Sequence, residues 1–256
     1  MINYLEHHIV DHCNLNCVGC SHFSPLSNPW YEDINDFTKD FAALSIKTNQ
    51  QVGVIRLMGG EPLLHPNVGA FLVTARSLFP NSEIQLVTNG LLLKHQETKD
   101  KLLKICNYYN IVVCVSDYGL NLNLHELLSG FNHIRVDGKN ELYNISLYLD
   151  GNDDSQYEFD YCDLHINHWY YFQGGRFYPC CVAGNIHIFN EYFGQELPSD
   201  IKSNSISIYE HSVDEVEKFL NKPIGLCLYC DTVRRSQNYH PASVSKKEIT
   251  EWTYQS

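Results

Sequence analysis

Residues 7–150 repeat one unit, a short β-branched run followed by a helical pattern. "HHIV" leads through a cysteine loop into "INDFTKDFAALSIKTN", "VGVIRLM" into "NVGAFLVTARSLF", and "EIQLVTN" into "ETKDKLLKICNYY". "IVVCVS" then precedes "NLHELLS", "HIRVD" follows, and "ISLYLD" closes the series. Six strands alternating with helices predict a parallel sheet with right-handed crossovers. Six falls short of the eight strands of a closed barrel, so an α/β fold with an open, partial (β/α)6 barrel is expected. Periodicity alone does not separate it from a flat, doubly wound sheet. In either architecture chemistry belongs at the carboxyl ends of the strands. The polar residues there are Asp11 and His12, then Gly59, Gly60 and Glu61, then Thr88, Asn89 and Gly90, then Ser116 and Asp117.

After Asp150 the repeat stops. "GNDDSQYEFD" reads as a polar linker, and the period then changes to two. "NHWYYF", a turn at Gly174-Gly175 and "RFYPC" predict a β-hairpin with Cys162 at its entrance and Cys180 at its exit. A helical stretch, "VDEVEKFLN", precedes Cys227 and Cys230. The expected organisation is a barrel over 1–150 and a small hairpin-plus-helix domain over 151–256.

The loop after the first strand, "DHCNLNCVGCSHFSP", gathers Cys13, Cys17 and Cys20 and supplies no fourth cysteine nearby. A structural zinc site wants four closed ligands, and a ferredoxin run has other spacings and a fourth cysteine. Three cysteines on a cubane cluster would leave one iron open to another ligand. The second set, Cys162, Cys180, Cys227 and Cys230, has the four ligands that close a tetrahedral zinc or a cubane site, and four thiolates alone do not distinguish the two. Cys106 and Cys114, inside a helical and a strand pattern, read as core thiols. Cys181, beside Cys180, is open to three readings: a packed neighbour, an alternative ligand or a hydrogen-atom donor.

Composition narrows the classes. The chain has 256 residues, 44% hydrophobic and 19% charged, enough for one substantial core with a small appendage. A net charge of −12 argues against a partner that is a nucleic acid. "MINYLEHHIV" lacks a basic n-region and carries Glu6 where an apolar stretch would run, so a signal peptide is not expected. No stretch reads as a membrane helix. Ten cysteines then read as reduced thiols and metal ligands, which places the protein in the cytoplasm.

The C-x3-C-x2-C of Cys13, Cys17 and Cys20, followed by "GGEPLLHP" after the second strand, resembles the radical S-adenosylmethionine (SAM) enzymes. The resemblance implies a [4Fe-4S] cluster on those cysteines whose open iron takes SAM. It implies that Gly59 and Gly60 approach the methionine moiety and that Glu61 accepts from its ammonium. Asn89 and Ser116 would meet its carboxylate and ribose, where the plain reading of Asn89-Gly90 is a turn. Gly19 departs from the family, which often has an aromatic residue before the third cysteine. Cys162, then Gly175-x4-Cys180, then Cys227-x2-Cys230 resembles the twitch domain, a shortened SPASM extension that holds one auxiliary [4Fe-4S] cluster. In size and plan the chain is similar to the butirosin-pathway aminocyclitol dehydrogenase.

By that resemblance, one electron from a flavodoxin- or ferredoxin-like donor cleaves SAM to methionine and a 5′-deoxyadenosyl radical, which takes hydrogen from substrate. With no peptide-recognition module expected before the barrel, a small polar substrate such as a sugar, aminocyclitol or nucleotide-linked sugar is favoured over a peptide. Alcohol oxidation, with the auxiliary cluster accepting the second electron, is expected ahead of epimerisation with Cys181 returning hydrogen, and ahead of peptide modification. A zinc-stabilised interaction protein is the non-enzymatic alternative. Arg234 and Arg235 could meet a phosphate.

Overall fold

A computed structural model describes residues 2–138, 146–232 and 244–254. Arg234 and Arg235 lie outside them. The strands are β1 (Tyr4–Val10), β2 (Val54–Gly59), β3 (Glu83–Thr88), β4 (Val112–Asp117), β5 (Ile134–Gly138), β6 (Leu147–Tyr148), β7 (Tyr170–Gln173), β8 (Arg176–Tyr178), β9 (Ile206–Ser207) and β10 (Thr253–Tyr254). The helices are α1 (Ile34–Lys47), α2 (Val68–Leu78), α3 (Gln96–Tyr108), α4 (Leu124–Leu127), α5 (Ser155–Asp160), α6 (Asp163–Ile166), α7 (Cys181–Phe193), α8 (Ile201–Asn204) and α9 (Val213–Leu220).

An eight-stranded sheet runs β5-β4-β3-β2-β1-β7-β8-β9. Every pairing from β5 to β7 is parallel, and β8 and β9 add antiparallel. Among the described residues six strands are therefore joined in parallel, the number the βα repeat predicts, but the sixth is β7 rather than "ISLYLD". The described residues of that segment, from Ser146 on, contribute the two-residue β6, which pairs with β10 in a separate ribbon. The reason is visible in its packing: Leu147 is fully buried and its N–H donates to the Trp252 carbonyl at 2.9 Å. The free edge of β1 is taken instead by the hairpin, whose tight turn places Gly174 and Gly175 at φ 58° and 67°, as a primed turn requires.

Alternation along β1 divides its residues between two environments. Leu5, His7 and Ile9 face the helices, where the His7 ring meets Phe37 and Phe41 of α1 edge-on and those two phenylalanines stack at 4.0 Å. Glu6 and His8 face the other way, toward the concave side of the sheet. The main core lies between the sheet and α1–α3, and includes Phe172 and Phe177 of the hairpin and Val216 and Leu220 of α9. A second core gathers Phe23, Leu26, Leu147, Leu164, Trp252 and the buried face of α7. The cores therefore do not divide at residue 150: the hairpin and α9 complete the first, and residues of the cysteine loop help to build the second.

Candidate active site

The carboxyl ends of the parallel strands enclose a cavity of about 220 Å³. Cys13, Cys17 and Cys20 line it together with Gly59, Gly60, Asn89 and Ser116. Four expected strand-end or loop elements thus converge on one space. Cys181 lines the same cavity.

The glycine pair has a specific steric cause. Gly59 holds φ 144°, and a Cβ on it would overlap the Val10 carbonyl oxygen; one on Gly60 would overlap that of His12. The chain after β2 zips onto the start of the cysteine loop through Gly60 N–H to Val10 O at 3.0 Å and Glu61 N–H to His12 O at 3.1 Å. The pair therefore anchors the loop that carries Cys13, besides presenting backbone to the cavity.

Glu61 departs from its expected place. It is fully buried and is not among the cavity's lining residues. Oε1 accepts from Leu63 N–H at 3.0 Å and the Thr88 hydroxyl at 2.7 Å, and Oε2 accepts from Asn89 N–H at 2.8 Å. Burial pushes its carboxyl up to about 7, against the lowering effect of those bonds. As folded, Glu61 ties the glycine turn to the end of β3 and is not presented to an ammonium. Asn89 also has protein partners: its Nδ2 donates to Asn14 Oδ1 at 2.7 Å and its Oδ1 accepts from Leu91 N–H at 3.0 Å. It stands between the cysteine loop and β3. Ser116, at the end of β4, lines the wall.

A second, much smaller cavity, about 20 Å³, is lined by Cys162, Cys180, Cys227 and Cys230 with Phe159, Pro179, Ile224 and Leu226. Cys180 caps α7, accepting at Sγ from Ala183 N–H at 3.5 Å. Burial first, then the neighbouring Cys181, Cys162 and Cys230, push its thiol well up. Burial likewise raises Cys13 and Cys20. Three thiols on one loop and four around one small cavity are the donor types and numbers that metal clusters take, so both sets fit one. Cys106 and Cys114 are buried core thiols, and none of the ten cysteines forms a disulfide.

Several groups at the site escape motif reading. Glu6, His22, Arg56, Arg135, Asp137, Tyr118 and Trp169 complete the cavity wall. For Glu6 in "YLEHHIV" and Arg56 in "VIRLMG" the signal was a charged residue within an otherwise apolar strand; Asp137, on the largely exposed β5, had no such signal. Arg56 ties three of these strands together, donating to Tyr4 at 3.0 Å and Asp137 at 3.1 Å. The C-terminal segment also braces the cysteine loop. Trp252 Nε1–H donates to the Cys20 carbonyl at 3.0 Å, and Asn16 exchanges bonds with Ser245.

Residues 8–118 match the Radical SAM superfamily. The GTP 3′,8-cyclase of Nautilia profundicola is 31% identical over 108 residues, 41% of this chain and 34% of that protein. That of Sulfurovum sp. is likewise 31% identical over 108 residues, 41% of this chain and 33% of the relative. The chain spans about a third of the length of the curated relatives it matches. Among solved structures, BtrN in complex with AdoMet and 2-DOIA superposes with a TM-score of 0.54 at 14% identity, covering 96% of this chain and 97% of that one. That likeness shows a shared fold across nearly the whole of both chains. Among the described residues, no helix is long and apolar enough to cross a membrane. With the three loop cysteines and the glycine turn inside the matched segment and the fold built around them, the chain carries a domain of the radical SAM superfamily, whose members use a [4Fe-4S] cluster and S-adenosylmethionine.

Proposed function

We propose that this protein is a cytoplasmic radical SAM oxidoreductase that removes hydrogen from a small polar substrate, oxidising an alcohol to a ketone. Cys13, Cys17 and Cys20 hold the cluster that binds SAM, and Gly59, Gly60, Asn89 and Ser116 form the wall against which SAM lies. Glu61 acts on that wall from behind, by fixing the turn. Cys162, Cys180, Cys227 and Cys230 hold a second [4Fe-4S] cluster. When bound, these groups supply a hydrogen-abstracting 5′-deoxyadenosyl radical and a one-electron acceptor, the pair that a two-electron alcohol oxidation requires.

One observation carries this reading. Cys180 of the closed set and Cys181 of the open cavity are adjacent residues at the start of α7, so the four-thiol set adjoins the cavity that the three thiols line. The wall also carries the charged groups of Glu6, Arg56, Arg135 and Asp137 among apolar side chains such as Met58, Leu164 and Trp169, and those charges can meet hydroxyl and amino groups of a ligand. The fold shared with BtrN, solved with AdoMet and 2-DOIA, supports the same plan. A flavodoxin- or ferredoxin-like donor supplies the electron.

Epimerisation is the second reading, favoured by Cys181 lining the cavity, where a thiol could return hydrogen to the opposite face of a substrate radical. Product mass in deuterated buffer separates the two, using a substrate found by mass-spectrometric screening of cell extract. A loss of two mass units is expected; a gain of one unit with inverted stereochemistry overturns oxidation.

A further inference from the structure

One group of donors in the cavity belongs to neither cysteine set. Glu6 of β1, His22 beyond the cysteine triplet and Cys181 of α7 bring a carboxylate oxygen, a ring nitrogen and a sulfur within 4.8 Å of one another. Glu6 and Cys181 are 7% and 3% exposed, and all three residues line the cavity.

The surrounding hydrogen bonds fix how these groups present themselves. The Asp11 carboxylate lies 3.1 Å from His8 Nδ1, so a neutral His8 donates there and offers Nε2 as an acceptor. His22 Nδ1 stands 2.7 Å from that Nε2 and donates to it. The lone pair of His22 is then on Nε2. Tyr4 donates to Glu6 Oε1 at 2.6 Å and Arg56 stands 4.0 Å from the same oxygen, which leaves Oε2 for a ligand. A ligating histidine has its other ring nitrogen held by an outer hydrogen-bond partner, and here His8, itself bonded to Asp11, takes that place behind His22.

We propose that Glu6, His22 and Cys181 form a mononuclear divalent-metal site of the zinc class, with its fourth position open to an oxygen ligand in the cavity. One carboxylate and one thiolate neutralise a dication, and mixed oxygen, nitrogen and sulfur donors suit zinc. Tetrahedral zinc with ligands at about 2.0–2.3 Å spaces those ligands about 3.3–3.8 Å apart, so side-chain shifts of about 1 Å close the site. Three protein ligands and an open position is the pattern of a catalytic rather than a structural zinc. A hydroxyl bound there is made more acidic. The assignment stands without the oxidation reading, yet it bears on it: a metal-bound Cys181 thiolate has no S–H hydrogen to return, so occupancy selects oxidation over epimerisation.

The test uses the full chain with both clusters reconstituted anaerobically, loaded with Zn(II), exchanged against a mild chelator and measured by plasma mass spectrometry. The wild type should retain one zinc per chain beyond its full iron content. Glu6→Gln should keep its iron and bind zinc about 10-fold more weakly or worse, and His8→Gln, which leaves all three ligands in place, about 10–100-fold more weakly. Co(II) in the same site should give a thiolate charge-transfer band that Cys181→Ala lacks. Absence of zinc from the wild type, equal zinc in Glu6→Gln, or zinc gained only as iron is lost overturns the site. Zinc bound as expected without 5′-deoxyadenosine formation supports the site and counts against the proposed reaction alone.

Discussion

Cys13, Cys17 and Cys20 line a cavity of about 220 Å³ between strand ends, whereas Cys162, Cys180, Cys227 and Cys230 line one of about 20 Å³. The first set lies on a single loop that has no regular structure of its own and is held from outside: by the glycine turn after β2, by Asn89 and by Trp252. The second set draws its cysteines from three separate places in the sequence, and Cys162, Cys180 and Cys227, partly buried, pack against the second core. Three donors leave a position of a tetrahedral or cubane site open to a ligand, whereas four complete the set. The proposed division of work, binding at one set and electron transfer at the other, rests on this difference in donor number and in the space beside the donors.

The sharpest way to break this contrast is to remove one set at a time. Cys227→Ala combined with Cys230→Ala should halve the iron content and abolish ketone formation, while SAM is still cleaved to 5′-deoxyadenosine. Loss of SAM cleavage together with loss of product would instead mean that the two sets do not divide the work.

Much of this contrast was legible in the sequence because spacing constrains metal ligands directly. The C-x3-C-x2-C triplet and the glycine turn line one cavity, and Cys162, Cys180, Cys227 and Cys230 line another. Orientation was not legible. "GGEP" contains Glu61, yet a motif does not say whether a carboxylate faces the cavity or the strand behind it; three donors from β3 and its own turn decide that. Strand membership failed for a related reason. "ISLYLD" has a strand's pattern, but the edge of β1 goes to the hairpin, whose Tyr170 and Tyr171 pair with Leu5 and Glu6. The brace from Trp252 carries no local signal, since it joins residues 232 positions apart.

A smaller perturbation probes the support behind the open set. Thr88→Val removes the hydroxyl that donates to Glu61 and accepts from Gly90 N–H at 3.0 Å. Leaving those buried groups unmet should cost about 1–3 kcal/mol, read as a lower urea midpoint with iron content unchanged. An unchanged midpoint would show that the turn is not held from β3.

The gentlest test concerns the wall behind the first strand. Burial pushes His7 down to about 3, partly opposed by its bond to the Phe172 carbonyl at 2.7 Å. Its folded form thus binds its proton less readily than the unfolded chain, so its contribution to stability is present above about 6.5 and is lost as pH falls toward 3. The slope should reach up to about 1.4 kcal/mol per pH unit in that window. His7→Phe should flatten it, measured by urea unfolding across the range.

The division between an open and a closed thiol set is tested most directly by electron paramagnetic resonance of the reduced, reconstituted protein titrated with SAM. The wild type should show two reduced-cluster signals, of which SAM shifts one. The Cys13/Cys17/Cys20 triple alanine variant should keep only the signal that SAM leaves unmoved. A SAM-induced shift that survives in that variant, or a single cluster signal in the wild type, would contradict the account.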